Sequence, residues 1–314
     1  MVQVHKRGQN FHFNYLFLKQ LQYRKINWGA YYETYEYCLK NFDPEDFQFY
    51  AAFDKETKEI VGSMHVGRYE SIEGSIELVC IGKYFVMAQR RGQGVGEFLW
   101  KKALGHPNFA NKNLGLIGAQ AMTKKYCDNC GFDKYYDSDL IVQYRKISDL
   151  KIEKLEINEK LKILDYLDVD PMKVVFFDSK VNGNQRRDKF LKDFLKIKSM
   201  KSVKVAFDED DEIVGFIALC EAEDILSLCP LFAVDIKTAS TLLRKALESI
   251  ENLDSYRIFK TVSFEKNQFS NILFNQLTEN QETRTKLYGQ FTKFVPEVKY
   301  DQVYSLTELG TNVI

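Results

Sequence analysis

QRRGQGVG, residues 89–96, places glycines at 92, 94 and 96 directly behind Arg90 and Arg91. Alternating glycine suits neither a helix nor a strand. It suits a loop where something must come very close to the main chain. The apolar run YFVMA (84–88) leads into it as a strand end, and GEFLWKKAL (96–104) follows as part of a helix that begins near Gly94. The amides at a helix start, with the aligned peptide dipoles behind them, favour an anion. Glycines let a phosphate reach those amides. The stretch is therefore suited to a pyrophosphate.

Two common phosphate loops do not fit. A Walker loop needs Gly-Lys-Ser/Thr, whereas Gly96 is followed by Glu97 and Phe98. The dinucleotide fingerprint needs G-x-G-x-x-G at a first parallel crossover. Here the spacing is G-x-G-x-G, behind what read as antiparallel hairpins.

Those hairpins recur. Residues 52–62 read AFDKETKEIVG and residues 206–215 read AFDEDDEIVG, each a strand, an acidic turn and a second strand entered through Ile-Val-Gly. The first copy continues through SMHVGRYE and SIELVCIGKYFVMA to the glycine helix, the second through FIALCEAEDILSLCPLFA to ASTLLRKAL (239–247). Order and spacing both recur, so the chain reads as two copies of one fold. NYLFLKQLQYRKI (14–26) and WGAYYETYEYCLKNF (28–42) precede the first hairpin with helical spacing. NEKLKILDYLDVD (158–170) and QRRDKFLKDFLKIK (185–198) precede the second. After the glycine helix come the strand LGLIGA, the helix TKKYCDNCGF ended by Gly131, and the strand DLIVQYRKI. The second copy ends on YRIFKTVSF, NQFSNILFNQL and DQVYSLTELG (301–310). Each half reads helix, helix, antiparallel strands, helix, strand, helix, strand, an α/β arrangement of helices around a mixed, mostly antiparallel sheet. The boundary is expected near Ser148–Lys151, giving domains 1–148 and 149–314 packed rigidly together.

Arg91-Gly92-Gln93-Gly94-Val95-Gly96 resembles the Arg/Gln-x-x-Gly-x-Gly/Ala signature of the GNAT superfamily of N-acetyltransferases. Val86 precedes Arg91 as in the family's loop-entering strand, and CDNCGF (127–132) resembles the Gly-Phe ending of its next helix. The likeness covers roughly residues 50–135. The second half resembles tandem GNAT proteins, through Pro230-Leu231-Phe232-Ala233. Matching KKAL to RKAL sets Asp235 opposite Gly92, Lys237 opposite Gly94 and Ala239 opposite Gly96. The second copy is therefore read as degenerate and not binding coenzyme A in the usual way. It either walls off a substrate site or forms a homodimer.

The resemblance implies acetyl-CoA as co-substrate and direct attack by an amine. The amides of Arg91, Gly92, Gln93, Gly94, Val95 and Gly96 would bind the pyrophosphate. The strand edge at Phe85 and Val86 would bond the pantetheine, with Gln120 standing where the family often has an Asn. Cys127 falls where the family commonly has the Tyr facing the sulfur, one residue after Tyr126, the candidate acid. One residue is a helical turn of about 100°, so the two do not face the same way. The family's base position falls on Cys80. Glu77, three residues away, is the candidate base, with a base acting through water as the alternative.

The 314 residues are 45% hydrophobic and 14% aromatic, which supplies cores for two domains and excludes disorder. Equal totals of 44 basic and 44 acidic residues give no field towards nucleic acid or an anionic membrane. The sequence shows no apolar run of spanning length and no signal-peptide core at its start, so a cytoplasmic protein is expected. The six cysteines (38, 80, 127, 130, 220, 229) read as reduced thiols. Cys127 and Cys130 lack partners for a zinc site and read as packing residues on one short helix, with a redox pair as the alternative. His5, His12, His65 and His106 lack ligand spacing, and surface or loop roles are expected. WGAYYETYEY (28–37) reads as core on one face, with a substrate-binding wall as the alternative. The leading expectation is an N-acetyltransferase acting on a small amine or amino acid. The competing one is a non-catalytic acyl-CoA-binding or scaffold protein.

Overall fold

The computed structural model describes residues 2–5, 38, 40–74, 77–280 and 283–310. The expected helices at 14–26 and 28–42, including the aromatic stretch at 28–37, lie almost entirely outside the described residues. In chain order the first half gives β1 (Val2–His5), β2 (Phe47–Asp54), β3 (Ile60–Ser71), β4 (Glu77–Val86), α1 (Val95–Leu104), β5 (Asn113–Ala119), α2 (Gln120–Cys130), β6 (Lys134–Tyr135) and β7 (Leu140–Lys146). The second gives β8 (Lys162–Asp165), α3 (Pro171–Val181), β9 (Gln185–Arg186), α4 (Asp188–Phe194), β10 (Met200–Phe207), β11 (Ile213–Ala222), β12 (Ile225–Ala233), α5 (Ile236–Glu248), β13 (Ile258–Phe264), α6 (Gln268–Leu277), β14 (Thr283–Phe291) and β15 (Val303–Ser305).

The repeated hairpins are β2–β3 and β10–β11, both antiparallel. Helix α1 buries Val95, Leu99 and Ala103, spaced four apart on one face, against β3 and β2. Helix α5 buries Leu242, Leu243, Ala246 and Leu247 against β11 and β10 in the same way. One core lies beneath α1 and α2 around Val79, Ile81, Leu99 and Leu116. A second lies beneath α5 and α6 around Ile217, Leu219, Leu242 and Phe274. A third joins the halves, drawing Leu78 and Cys80 from the first and Phe177, Phe190 and Phe216 from the second.

The sheets of the two halves are continuous. The strand order is β1-β2-β3-β4-β5-β14-β7-β13-β12-β11-β10-β8. Each half lends its strand after the last helix to the other: β14 lies between β5 and β7, and β7 between β14 and β13, antiparallel throughout.

Three local readings change. NEKLKILDYLDVD contains the short edge strand β8, paired with β10, instead of a helix. The helix follows it as α3, where Asp170, the last residue of the segment, accepts the Met172 amide at 2.9 Å and Pro171 fills the first turn. The second copy's sheet-completing strand is TRTKLYGQF (283–291), and DQVYSLTELG instead supplies the three-residue β15.

Candidate active site

In the first half β4 and β5 pair in parallel only from Leu78–Asn113 to Ile81–Leu116, then diverge. Beyond that point β4 runs on to Val86 and β5 to Ala119, so their facing edges open into a cleft. The second half diverges the same way, with β12 and β13 paired only from Ile225–Ile258 to Ser227–Lys260. There the opening is filled by β15. It pairs with β12 at Leu231 and Phe232. The Leu306 amide reaches Val262 O at 2.7 Å, and the Ser305 hydroxyl reaches Leu228 O at 2.8 Å.

The helix behind each cleft differs in the same sense. Gly92 and Gly94 lie at φ +76° and +79°, in the left-handed region that favours glycine, with nothing within 4 Å of where a Cβ would be. Gly94 stands at the N-cap of α1 and no side chain caps that turn. Its first amides are thus left to a ligand or water. The Arg91 side chain holds the loop by donating to Val86 O at 3.1 Å. Arg90 pairs with Asp54, whose carboxyl is held low by bonds from the Thr57 and Glu56 amides and by the Arg90 charge. In the second half Asp235 caps α5, its carboxylate accepting the Thr238 amide at 2.7 Å. Helix α5 starts two residues earlier than the sequence match implied, so Asp235 takes the place of Gly94 structurally, not that of Gly92.

Gly96 has another purpose. A Cβ there would come within 2.2 Å of the Tyr84 hydroxyl, so this glycine makes room for a β4 side chain. Phe85 and Val86 lie on the β4 edge of the cleft, and Gln120 is exposed at the start of α2 where β5 ends. Phe85, Val86 and the Arg91–Gly96 loop thus follow one another at the end of β4, while Gln120 stands at the end of β5. Tyr126 is buried, its ring 6.4 Å from Tyr84, 6.1 Å from Trp100 and 6.3 Å from Phe132. Burial pushes its hydroxyl well above the usual tyrosine range, so it holds its proton tightly. Cys127 is half-buried on the neighbouring face of α2 and Cys130 packs against the aromatic cluster; both thiols are free.

Glu77 is not brought to the cleft. It begins β4, six residues before Lys83, which at ~3.3 Å per residue is about 20 Å away. Arg68 pairs with it at 2.6 Å and Lys112 also bonds it. Burial raises its pKa, but the bonds and charges of Lys112 and Arg68 outweigh that and hold the carboxyl low.

Other groups stand nearer the point where β4 leaves β5. The β3–β4 register shifts between Ser63 and His65, and Lys83 takes up the extra residue at φ +48°, its carbonyl accepting from Ser63 at 2.9 Å. Lys83 Nζ lies 3.2 Å from Glu308. His65, expected at the surface, is instead buried at 3% exposure, with Nε2 against Gly310 O. Its β3 position faces inward, and burial together with the Lys83 charge lowers its pKa to about 4. Sequence reading missed Glu308 because no local pattern ties residue 308 to residue 83.

Residues 174–293 match the family model described as acetyltransferase (GNAT) domain. A proposed acetyltransferase from Pyrococcus horikoshii superposes with a TM-score of 0.69 at 16% identity, over 99% of this chain and 96% of that one. A tandem GNAT protein from the clavulanic acid biosynthesis pathway gives 0.66 at 9% identity, over 94% of this chain and 100% of that one. No curated protein sequence matches the chain. Residues 174–293 thus carry the GNAT domain match, and the chain as a whole shares its fold with a tandem GNAT structure. The family match falls on the half whose cleft is filled, and the glycine loop lies in the other half. No described helix is long and apolar enough to cross a membrane.

Proposed function

We propose that the chain is an acetyl-CoA-dependent N-acetyltransferase whose first domain, residues 1–148, binds the thioester and whose second, residues 149–314, does not. One observation carries this reading: the two clefts differ at both places an acyl-CoA needs. In the first the helix start is uncapped and β4 and β5 stand open. In the second Asp235 takes the helix start and β15 takes the strand gap. The pyrophosphate would rest on amides of Arg91–Gly96 and the pantetheine along Phe85–Val86, with Gln120 and Cys127 on the α2 side. Positioning then supplies most of the rate. The acceptor is a small amine, and the second domain closes the far side of the site. Tyr126 serves as a wall of this cleft and Glu77 as the anchor for Arg68 and Lys112. The protein works in the cytoplasm, without nucleic acid or membrane.

Tight proton retention at Tyr126 and the remoteness of Glu77 favour one other reading, a non-catalytic acyl-CoA-binding protein. Calorimetric titration of acetyl-CoA into the native protein and a Gly94→Asp variant tests the shared binding claim. Native binding that the variant loses supports it, and no native binding refutes it. Release of free thiol when amines are added separates enzyme from binder.

A further inference from the structure

The last described segment leaves the second domain's cleft as β15 and crosses to the first domain. Arg187, itself paired with buried Asp178, donates to the Thr307 hydroxyl at 3.0 Å and fixes the crossing. The Gly310 amide donates to Glu308 at 2.8 Å, and Glu308 lies 3.2 Å from Lys83 Nζ. Gly310 packs so closely on β4 that a Cβ on Gly82 would fall 1.6 Å from its carbonyl oxygen.

Gly82 and Lys83 are the first β4 residues beyond the pairing with β5. From Val86 back to Gly82 an extended strand covers about 13 Å at ~3.3 Å per residue. An arm that starts at the glycine loop and runs along Val86 and Phe85 thus brings its thioester to Gly82–Lys83. Tyr84 and Val86 turn towards Gly96 and α1. The bulge at Lys83 breaks the alternation there and turns its side chain to the face that Gly82 presents to Gly310, where Glu308 lies. The acyl group therefore emerges on the face where the crossing segment lies.

We propose that Glu308 is the carboxylate that receives the acceptor amine and takes its proton, supplied to the first domain's cleft by the end of the second. This rests on the acetyltransferase reading above. The amine nitrogen attacks the thioester carbonyl carbon, the C–N bond forms and the C–S bond breaks. The proton leaving nitrogen passes to Glu308, and from there through water to the departing thiolate, so the net products are amide and free thiol. Lys83 pairs with Glu308, and the Glu308 charge also acts on Lys260, His65 and Tyr69. Two lysines beside the seat disfavour a charged ammonium, so the acceptor enters as the free base.

The test measures thiol release from acetyl-CoA with a mixture of ethylamine, lysine, spermidine and glucosamine. Glu308→Gln keeps the shape and the bond from Gly310. The expected result is a rate at least ~100-fold below native with acetyl-CoA affinity within twofold, because a positioned base contributes about that factor or more. The native rate rises with pH along an acid limb that Glu308→Gln lacks, and Glu308→Asp recovers part of the rate. A Glu308→Gln rate within threefold of native overturns the proposal alone. Loss of acetyl-CoA binding in both variants also overturns it, since the residue would then be structural. A native protein that releases no thiol overturns the transferase reading and the proposal with it.

Discussion

Cutting the chain between residues 148 and 149 tests the strand exchange directly. The first fragment would keep β5 and β7 but lose β14, which pairs with both, and β13, which pairs with β7. On β7, Leu140, Ile141 and Val142 are 0%, 2% and 5% exposed. Full burial of such a side chain contributes about 1.5–3 kcal/mol, so stripping these three costs about 5–9 kcal/mol. Phe291 of β14, packed on Gly115, is lost as well. A whole domain is stable by only about 5–15 kcal/mol. Fragment 1–148 alone is therefore expected to show no cooperative urea transition by circular dichroism. Mixing it with fragment 149–314 is expected to restore one. A sharp transition in fragment 1–148 by itself, with a stability of several kcal/mol, refutes the reasoning: the exchanged strands would then add little to each half.

Gly94→Ala adds a methyl group that meets nothing within 4 Å, so its cost is that of the left-handed backbone, about 1–2 kcal/mol, read as a lower urea midpoint; an unchanged midpoint refutes that loop geometry. Asp235→Ala removes a cap and should cost about 1 kcal/mol while the number of acetyl-CoA sites per chain stays the same. A second site appearing by calorimetry would show that β15 does not block that cleft. His65 has a folded pKa of about 4, below the ordinary 6.5, so the unfolded chain binds its proton first as pH falls. Its contribution is complete above pH ~6.5 and is lost at about 1.4 kcal/mol per unit down to about pH 4. A His65→Gln variant should show a flatter stability profile over that window, and an identical profile would mean His65 titrates normally.

Much of the first site is written locally. Three glycines behind a strand and before a helix specify a close-approach loop, and the structure adds that Gly92 and Gly94 serve the left-handed turn while Gly96 makes room for Tyr84. The twin hairpins repeat the same acidic turns, so their pairing was legible without any long-range information. Asp235 was legible as an intruding acid, although its place as a helix cap depended on where α5 begins. Residues 162–165 misled because a short apolar stretch fits helical and strand spacing alike until a neighbouring strand claims it.

Neighbouring residues alone suffice for the local repertoire: the repeat, the glycine loop, the two classes of helix start and the fold they imply. Which strands exchange between the halves emerges only in three dimensions, because nothing in LIVQYRK or TRTKLYGQF names the partner strand. The tertiary structure alone put β15 into the second cleft and carried Glu308 to Lys83, 225 residues away in the chain. Such contacts depend on how two sheets dock, and nothing in the spacing of neighbouring residues records that.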